Sequence, residues 1–209
     1  MKITKYVQSC LLVETEGRAA LFDPGMMSEN ALDVDTITRL DDIIITHVHG
    51  DHYTLPLVQK LVSKFPEVHI TATSEVVALL LAEGISASDQ SSTGITFFNA
   101  PHESVEPLFP SPEQIGVHYL DILSHPGDSH SFAETKAILA LPITAPWGST
   151  IKALNIVLDL KPSIVVPIHD WHWRDEARIQ MYDMFESILA QHDIKFLKPE
   201  TGVPLEVNV

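Results

Sequence analysis

The chain has 209 residues, of which 45% are hydrophobic and 20% charged; this predicts one folded domain over residues 1–209, with no apolar run that could span a membrane. The formal net charge is −15 at pH 7 and no basic run is present, so charge repulsion makes a long nucleic acid a poor candidate substrate, and a small-molecule substrate is expected. Cys10 is the only cysteine, so no internal disulfide can form; since the N-terminus also lacks signal-peptide features, we expect a cytoplasmic protein.

The first part of the chain is predicted to form short strands. Strand patterns cover 3–8, 9–14 and 19–22, and Glu16-Gly17 makes a hairpin turn between the last two. The third strand ends at Asp23-Pro24-Gly25. Residues 26–40 look irregular, with a helical turn near 35–40, and the apolar β-branched run that follows predicts a buried strand at 42–46.

That strand leads into Thr46-His47-Val48-His49-Gly50-Asp51-His52, which holds three histidines and an aspartate. His47 and His49 are two residues apart, so an extended backbone points both to the same side. Gly50 allows a sharp turn that returns Asp51 and His52 to the same space. Because imidazole and carboxylate together suit zinc and its first-row neighbours, the loop predicts one wall of a metal site; the alternative is a histidine-rich surface loop.

The rest of the chain alternates between predicted helices and strands. Helices are expected over 55–65, over 75–83 between caps at Ser74 and Gly84, from Ser149 or Thr150 to Leu160, and over 174–192. Strands are expected over 68–73, 94–99, 116–123 with a bend, 137–141 and 163–168, and as a last pair at 194–197 and 203–207. No repeat is obvious, and the alternation indicates an α/β fold.

Candidate metal ligands follow four of these strands. They are the cluster at 47–52, after the strand at 42–46, and His102, Asp128 and His169, after strands at 94–99, 117–123 and 163–168. In open α/β folds ligands collect beyond the carboxyl ends of strands, so these residues have a common reason to meet. Seven such ligands are too many for one tetrahedral zinc and suit two metals that share a bridge.

The pattern His-x-His-x-Asp-His at 47–52, with a later histidine, aspartate and histidine, resembles the metallo-β-lactamase-fold superfamily over nearly the whole chain. Asp23-Pro24-Gly25 is similar to the aspartate turn before that signature. Gly127-Asp128-Ser129, Leu141-Pro142-Ile143 and Val166-Pro167-Ile168-His169 are similar to small hydrolases related to ascorbate-6-phosphate lactonase. The resemblance implies an αββα sandwich, with two mixed sheets and helices on the outer faces.

The resemblance also implies an assignment of the ligands. His47, His49 and His102 would hold the first metal, Asp51, His52 and His169 the second, and Asp128 would bridge them. Two divalent ions are expected, zinc by default, with manganese and iron as alternatives. A hydroxide bound by both metals would then cleave a small ester, lactone or phosphoester, and Asp51 would also orient the nucleophile and pass a proton to the leaving group.

Several nearby residues are expected to support the ligands or to line the pocket. We expect Asp23 to support the signature loop, and Asp170 to orient a neighbouring histidine or cap a turn. Three histidines either contact substrate or lie at the pocket edge without an essential role: His125, His130 and His172.

The tryptophans leave the substrate and the assembly open. Trp147-Gly148-Ser149 stands where the related hydrolases often have a glycine-rich loop. Trp147, Trp171 and Trp173 either wall the substrate pocket or pack in the core or a subunit contact. The helix at 174–192 and these tryptophans would suit a homo-oligomer.

Three other functions are kept as alternatives. A phosphodiesterase or nuclease of the same fold is disfavoured for long polymers by the acidic charge. A redox role is disfavoured because the diiron version of this fold has glutamate where this chain has His49. A non-catalytic metal-binding protein is disfavoured by the intact Asp51.

Overall fold

The structure is a computed structural model that describes residues 1–208, and its contacts divide them into two compact units. Unit 1 comprises residues 1–91, 112–114 and 199–208, and unit 2 comprises residues 92–111 and 115–198. Each unit contains one six-stranded sheet of mixed direction with its own helices. The α/β class and the two mixed sheets are therefore as predicted, whereas a single domain over residues 1–209 stays a prediction.

Unit 1 contains six strands and two α-helices. They are β1 (Lys2–Lys5), β2 (Leu11–Glu14), β3 (Ala19–Phe22), β4 (Asp42–Ile45), α1 (Leu55–Lys64), β5 (His69–Ala72), α2 (Ser74–Ala82) and β12 (Pro204–Glu206). The sheet order is β12-β1-β2-β3-β4-β5, antiparallel up to β3 and parallel from β3 to β5. The irregular stretch before β4 contains two 3₁₀ turns, at Met26–Ser28 and Val34–Thr36.

The core of unit 1 fixes where β4 ends. Ile43 and Ile45 of β4 are fully buried and belong to one apolar cluster with Leu57 and Leu61, which recur at helical spacing on α1. Burying side chains of this kind contributes roughly 1.5–3 kcal/mol each. The strand is thus anchored up to the residue that precedes the histidine-rich loop.

Unit 2 also contains six strands and two α-helices. They are β6 (Ile95–Phe98), β7 (Gly116–Tyr119), β8 (Leu123–His125), β9 (Ile138–Pro142), α3 (Thr150–Leu160), β10 (Ile164–Ile168), α4 (Asp175–Leu189) and β11 (Lys195–Phe196). The sheet order is β11-β10-β9-β8-β7-β6; the pairs are antiparallel from β6 to β8 and parallel from β8 to β11. Leu139, Val157, Val165 and Phe185 anchor one apolar cluster that joins β9 and β10 to both helices.

Three predictions about secondary structure are wrong. The segment at 116–123 is a hairpin of β7 and β8, whose turn places Leu120 at φ 51° and Asp121 at φ 57°. Hairpin turn residues with positive φ are normally Asn or Gly, so the sequence lacks the usual signal. The last two strands do not pair with each other, because β11 lies beside β10 and β12 beside β1.

The third wrong prediction concerns the residue that caps the start of α2. The cap is Thr73, whose hydroxyl accepts from the Val76 N–H at 3.5 Å, and not Ser74, whose hydroxyl donates to Glu113 at 2.6 Å. The predicted cap of α3 is confirmed, since the Ser149 hydroxyl accepts from the Lys152 N–H at 3.2 Å.

The two units share a strand order that the sequence did not reveal as a repeat. Each begins with three antiparallel strands and continues with parallel strands, of which α1 joins β4 to β5 and α3 joins β9 to β10. The sixth strands differ, because β12 lies beside β1 and β11 lies beside β10. Asp23-Pro24-Gly25 follows the third strand of unit 1, and His125-Pro126-Gly127 closes the third strand of unit 2. Ile45-Thr46 and Ile143-Thr144 likewise stand at the end of the fourth strands. No helix within residues 1–208 has the length and apolar character needed to cross a membrane.

Candidate functional site

Unit 1 gathers four candidate ligands in the loop after β4. The His47 ring centroid lies 4.8 Å from that of His49 and 4.0 Å from that of His52. The ligand atoms of His47 and His49 lie within 4.8 Å of each other, as do those of Asp51 and His52. The loop therefore turns as its spacing predicts, and it brings these side chains close together.

Gly25 lets the loop pack against the Asp23-Pro24-Gly25 turn. A Cβ at this position would lie 1.9 Å from the Asp51 carbonyl oxygen, so no other residue fits without moving backbone. The Met26 N–H also donates to the Gly50 carbonyl at 2.8 Å. The turn after β3 thus fixes the path of the loop after β4.

Asp23 is buried and holds the loop through three hydrogen bonds. Its Oδ1 accepts from the Thr46 N–H at 2.8 Å, and its Oδ2 accepts from the Thr46 hydroxyl at 2.9 Å and from His52 Nδ1 at 2.7 Å. His52 therefore carries its proton on Nδ1 and presents Nε2 as a lone pair. Since the Thr46 proton is used on Asp23, Thr46 Oγ1 accepts from His47 Nδ1 at 3.1 Å, so His47 also presents Nε2.

Unit 2 gathers its three candidate ligands around one carboxylate oxygen. His169 Nε2 lies 3.1 Å and His102 Nε2 lies 3.8 Å from Asp128 Oδ2. His169 Nδ1 donates to the Thr144 carbonyl at 2.9 Å, and His102 Nδ1 donates to the Glu103 carbonyl at 2.5 Å. Both rings therefore turn Nε2 toward the same oxygen, and in the neutral tautomer with the proton on Nδ1 these nitrogens carry lone pairs of the kind that a divalent cation binds.

His169 reaches this place through an unusual backbone. Its φ of 62° lies in the left-handed region, immediately after the buried strand β10. The following loop is held by Asp170, which is buried and accepts a short hydrogen bond from the Tyr182 hydroxyl of α4. Burial raises the pKa of Tyr182, so the phenol keeps the proton that it donates.

Trp147 lies beside all three candidate ligands of unit 2. Its indole N–H donates to Asp128 Oδ2 at 3.2 Å. Its ring centroid lies 5.2 Å from that of His169 and 6.3 Å from that of His102. The half-buried indole therefore both fixes Asp128 and provides an apolar wall next to it.

His130 is packed behind Trp147. Its ring centroid lies 5.1 Å from that of Trp147, and its Nε2 donates to the Pro142 carbonyl at 2.6 Å. A Cβ on Gly148 would lie 2.8 Å from the ring, so glycine is required there. Burial lowers the pKa of His130, which keeps the ring neutral.

The other two histidines with open roles differ in exposure. His125 is fully buried at the end of β8, and its Nδ1 accepts from the Gly127 N–H at 3.3 Å. His172 is exposed beside Trp171 and Trp173, and desolvation, followed by the proximity of His169, lowers its pKa.

Two residues next to the candidate ligands escaped the sequence analysis. Gln8, in the turn between β1 and β2, donates to Asp51 Oδ2 at 2.8 Å. Glu103 binds the segment after Asp128, since its Oε1 accepts from the Ser131 hydroxyl at 2.6 Å and from Lys152 at 2.9 Å. Burial alone would raise the pKa of Glu103, but these hydrogen bonds outweigh it and the pKa is lowered.

The chain is similar in sequence to a known family and to proteins of other organisms. A family model described as "Metallo-beta-lactamase superfamily" matches residues 3–106. The chain is 37% identical to the UPF0173 metal-dependent hydrolase SSP1060 of Staphylococcus saprophyticus, over 97% of this chain and 99% of that protein. It is 28% identical to protein Rv0786c of Mycobacterium tuberculosis, over 97% of this chain and 99% of that protein.

Solved structures share the fold at lower sequence identity. Igni18, a metallo hydrolase from Ignicoccus hospitalis, matches with a TM-score of 0.71 and 19% identity over 99% of both chains. The metallo-beta-lactamase fold protein YhfI of Bacillus subtilis matches with a TM-score of 0.65 and 14% identity over 98% of both chains. At this identity the structures support the fold and leave the reaction open.

Proposed function

Because the chain belongs to the metallo-β-lactamase superfamily and is a metal-dependent hydrolase of that fold, we propose that it cleaves a small ester, lactone or phosphoester with two divalent metal ions. In this proposal His47, His49 and His102 would hold one ion and Asp51, His52 and His169 the other, with Asp128 as a further ligand. Zinc is the default metal, and manganese and iron are the alternatives.

One observation carries the proposal: four imidazoles have their Nδ1 engaged by an oxygen. The partners are Thr46 Oγ1 for His47, Asp23 for His52, and the carbonyls of Glu103 and Thr144 for His102 and His169. Metal-binding histidines typically donate their second N–H to a carboxylate or carbonyl, which fixes the tautomer and the ring orientation. Surface histidines have no need of such partners, so the pattern supports ligation.

The chain's own residues would orient the substrate and move the proton. Bound divalent ions lower the pKa of water from ~15.7 toward ~7, which supplies a nucleophile at neutral pH. Asp51 would take up a proton and pass it to the leaving group. Trp147 offers its ring as an apolar face for the substrate, because its indole N–H is already engaged by Asp128.

The acidic charge supports a small substrate over a polymer. A cytoplasmic location and a homo-oligomer through α4 and the neighbouring tryptophans stay predictions.

A panel of substrates tests the reaction class. The purified protein, loaded with Zn²⁺ or Mn²⁺, is assayed on a carboxylic ester, a lactone, a phosphomonoester and a phosphodiester. We expect hydrolysis of at least one of the first three, loss of that activity in EDTA, and its return when the metal is restored. Activity confined to the phosphodiester would favour the phosphodiesterase alternative. No metal-dependent hydrolysis of any of them would contradict the proposal.

A further inference from the structure

Gln8 lies at the tip of the turn between β1 and β2, in a backbone conformation that is unfavourable for glutamine. Its φ is 63°, in the left-handed region that glycine and asparagine adopt more readily than glutamine. Only 1% of its surface is exposed. The turn is held by the hydrogen bond from the Tyr6 N–H to the Cys10 carbonyl at 2.9 Å. The fold therefore places a long polar side chain inside unit 1, at a position where it is disfavoured.

The Gln8 side chain ends at the candidate ligand Asp51. Gln8 Nε2 lies 2.8 Å from Asp51 Oδ2, and the two residues are 43 positions apart in the chain. An ionised carboxylate only accepts hydrogen bonds, so the amide nitrogen must face it and the amide oxygen must point away. The orientation of Gln8 is thus set by Asp51.

The contact selects one of the two Asp51 oxygens. Oδ2 accepts from Gln8 and also lies 3.5 Å from His52 Nε2. A neutral amide donor fixes the carboxylate without adding a positive charge that would compete with a metal ion. Gln8 therefore restrains the rotation of Asp51 and leaves its charge available.

Stability does not explain why glutamine is used here. Gln8 Oε1 is buried and accepts no hydrogen bond within the described residues. A buried acceptor of this kind destabilises the folded protein, in addition to the left-handed backbone. An apolar side chain of similar size would avoid the first cost, so the hydrogen bond to Asp51 is the property that glutamine adds.

We propose that Gln8 is a positioning residue for Asp51, which it holds in the orientation needed for metal binding and proton transfer. This inference rests on the proposed function, because it gives Gln8 a role through Asp51. It extends the candidate site to a turn that carries no recognisable motif.

The test compares Gln8→Leu and Gln8→Asn with the unaltered protein. Leucine removes the N–H donor, and asparagine tolerates the left-handed backbone but is too short to keep the contact. Gln90→Leu is a matched control, because Gln90 donates to Asp89 at 2.7 Å on the exposed surface. Metal-free protein is titrated with Co²⁺ and followed by its visible absorption, and kcat and KM are measured on the best substrate of the panel.

We expect both Gln8 variants to bind one of the two Co²⁺ ions about 10–100-fold more weakly, the usual range for a lost supporting contact. Their kcat should fall with KM little changed, and the Gln90→Leu variant should match the unaltered protein. The melting temperature of metal-free Gln8→Leu should not fall. Unchanged Co²⁺ affinity and kcat in both variants would overturn the inference, as would a lower melting temperature with unchanged affinity. If the unaltered protein itself binds no Co²⁺, the proposed function fails instead.

Discussion

Unit 1 takes its candidate ligands from one loop, whereas unit 2 takes its own from three separate strand ends. In unit 1 the rings of His47 and His52 are supported by the side chains of Asp23 and Thr46. In unit 2 the rings of His102 and His169 are supported by backbone carbonyls. The ligand set of unit 1 therefore depends on residue types outside the ligands, and that of unit 2 depends on the path of the backbone.

The candidate ligands are supported differently in the two units although their first five strands follow the same order. Thr46 and Thr144 follow the fourth strands of the two units, yet Thr46 acts through its hydroxyl and Thr144 through its carbonyl. Three residues after each threonine, the sequence has His49-Gly50 in unit 1 and Trp147-Gly148 in unit 2. The same architecture thus carries a candidate ligand in one unit and an aromatic wall in the other.

The largest expected effect is the loss of a ligand from unit 1. His49→Ala should lower kcat/KM at least about a thousandfold, roughly 4 kcal/mol in the barrier, because one metal loses a ligand. The variant should stay folded by circular dichroism. His69→Ala, on the exposed edge of β5, is the matched control and should keep its activity. Near-normal kcat/KM in His49→Ala would contradict the claim that unit 1 contributes ligands to the metal site.

Asp128→Ala tests the centre of the unit 2 set. Two imidazole Nε2 atoms face its Oδ2, so its removal should lose one metal per chain or loosen both. Metal content after desalting measures this, with the exposed Asp121→Ala as control. Full occupancy with full activity in Asp128→Ala would show that the bridging assignment is wrong.

A paired substitution tests the contrast in support directly. Asp23→Asn removes the carboxylate that orders Thr46 and His52, so we expect metal affinity to fall about 10–100-fold. Thr144→Ala keeps the carbonyl that orders His169, so its affinity should change less than about twofold. Competition with a chromophoric chelator measures both. Equal losses of metal affinity in the two variants would show that side-chain support and backbone support do not differ in this way.

The smallest effect concerns pH and the stability of unit 2. Burial is the main cause that lowers the pKa of His118 and of His130 below the ordinary value. Below pH ~6.5 the unfolded chain binds protons that the folded unit does not, so the free energy of unfolding should fall as the pH drops from 7 to 5. Hydrogen exchange of the metal-free protein should show β7–β9 losing more protection than β2–β4. Protection that is equal in both sets, or that rises, would contradict this.

The loop of unit 1 could be predicted because its information is local. The β-branched strand 42–45, the His-x-His spacing and the glycine all lie within one short stretch. The helices were also predictable, since Leu57, Val58 and Leu61 recur at helical spacing and are buried on α1. Local patterning was sufficient wherever neighbours in sequence are neighbours in space.

The contacts that the sequence missed are those made by the fold. Gln8 reaches Asp51 only because the β1–β2 turn lies beside the loop after β4. Glu103 has no motif of its own, and its role comes from Ser131 and Lys152, which lie far along the chain. The β7–β8 turn was missed because Leu120 and Asp121 adopt positive φ without the residues that usually signal it.

The metal content of the purified protein tests the central claim most directly. Protein prepared without added metal, and again after reconstitution with Zn²⁺, is analysed by inductively coupled plasma mass spectrometry. The seven candidate ligands predict two transition-metal ions per chain, with activity that rises in proportion to occupancy. Fewer than one ion per chain, with no gain on reconstitution, would contradict the claim that these residues hold a catalytic pair of metals.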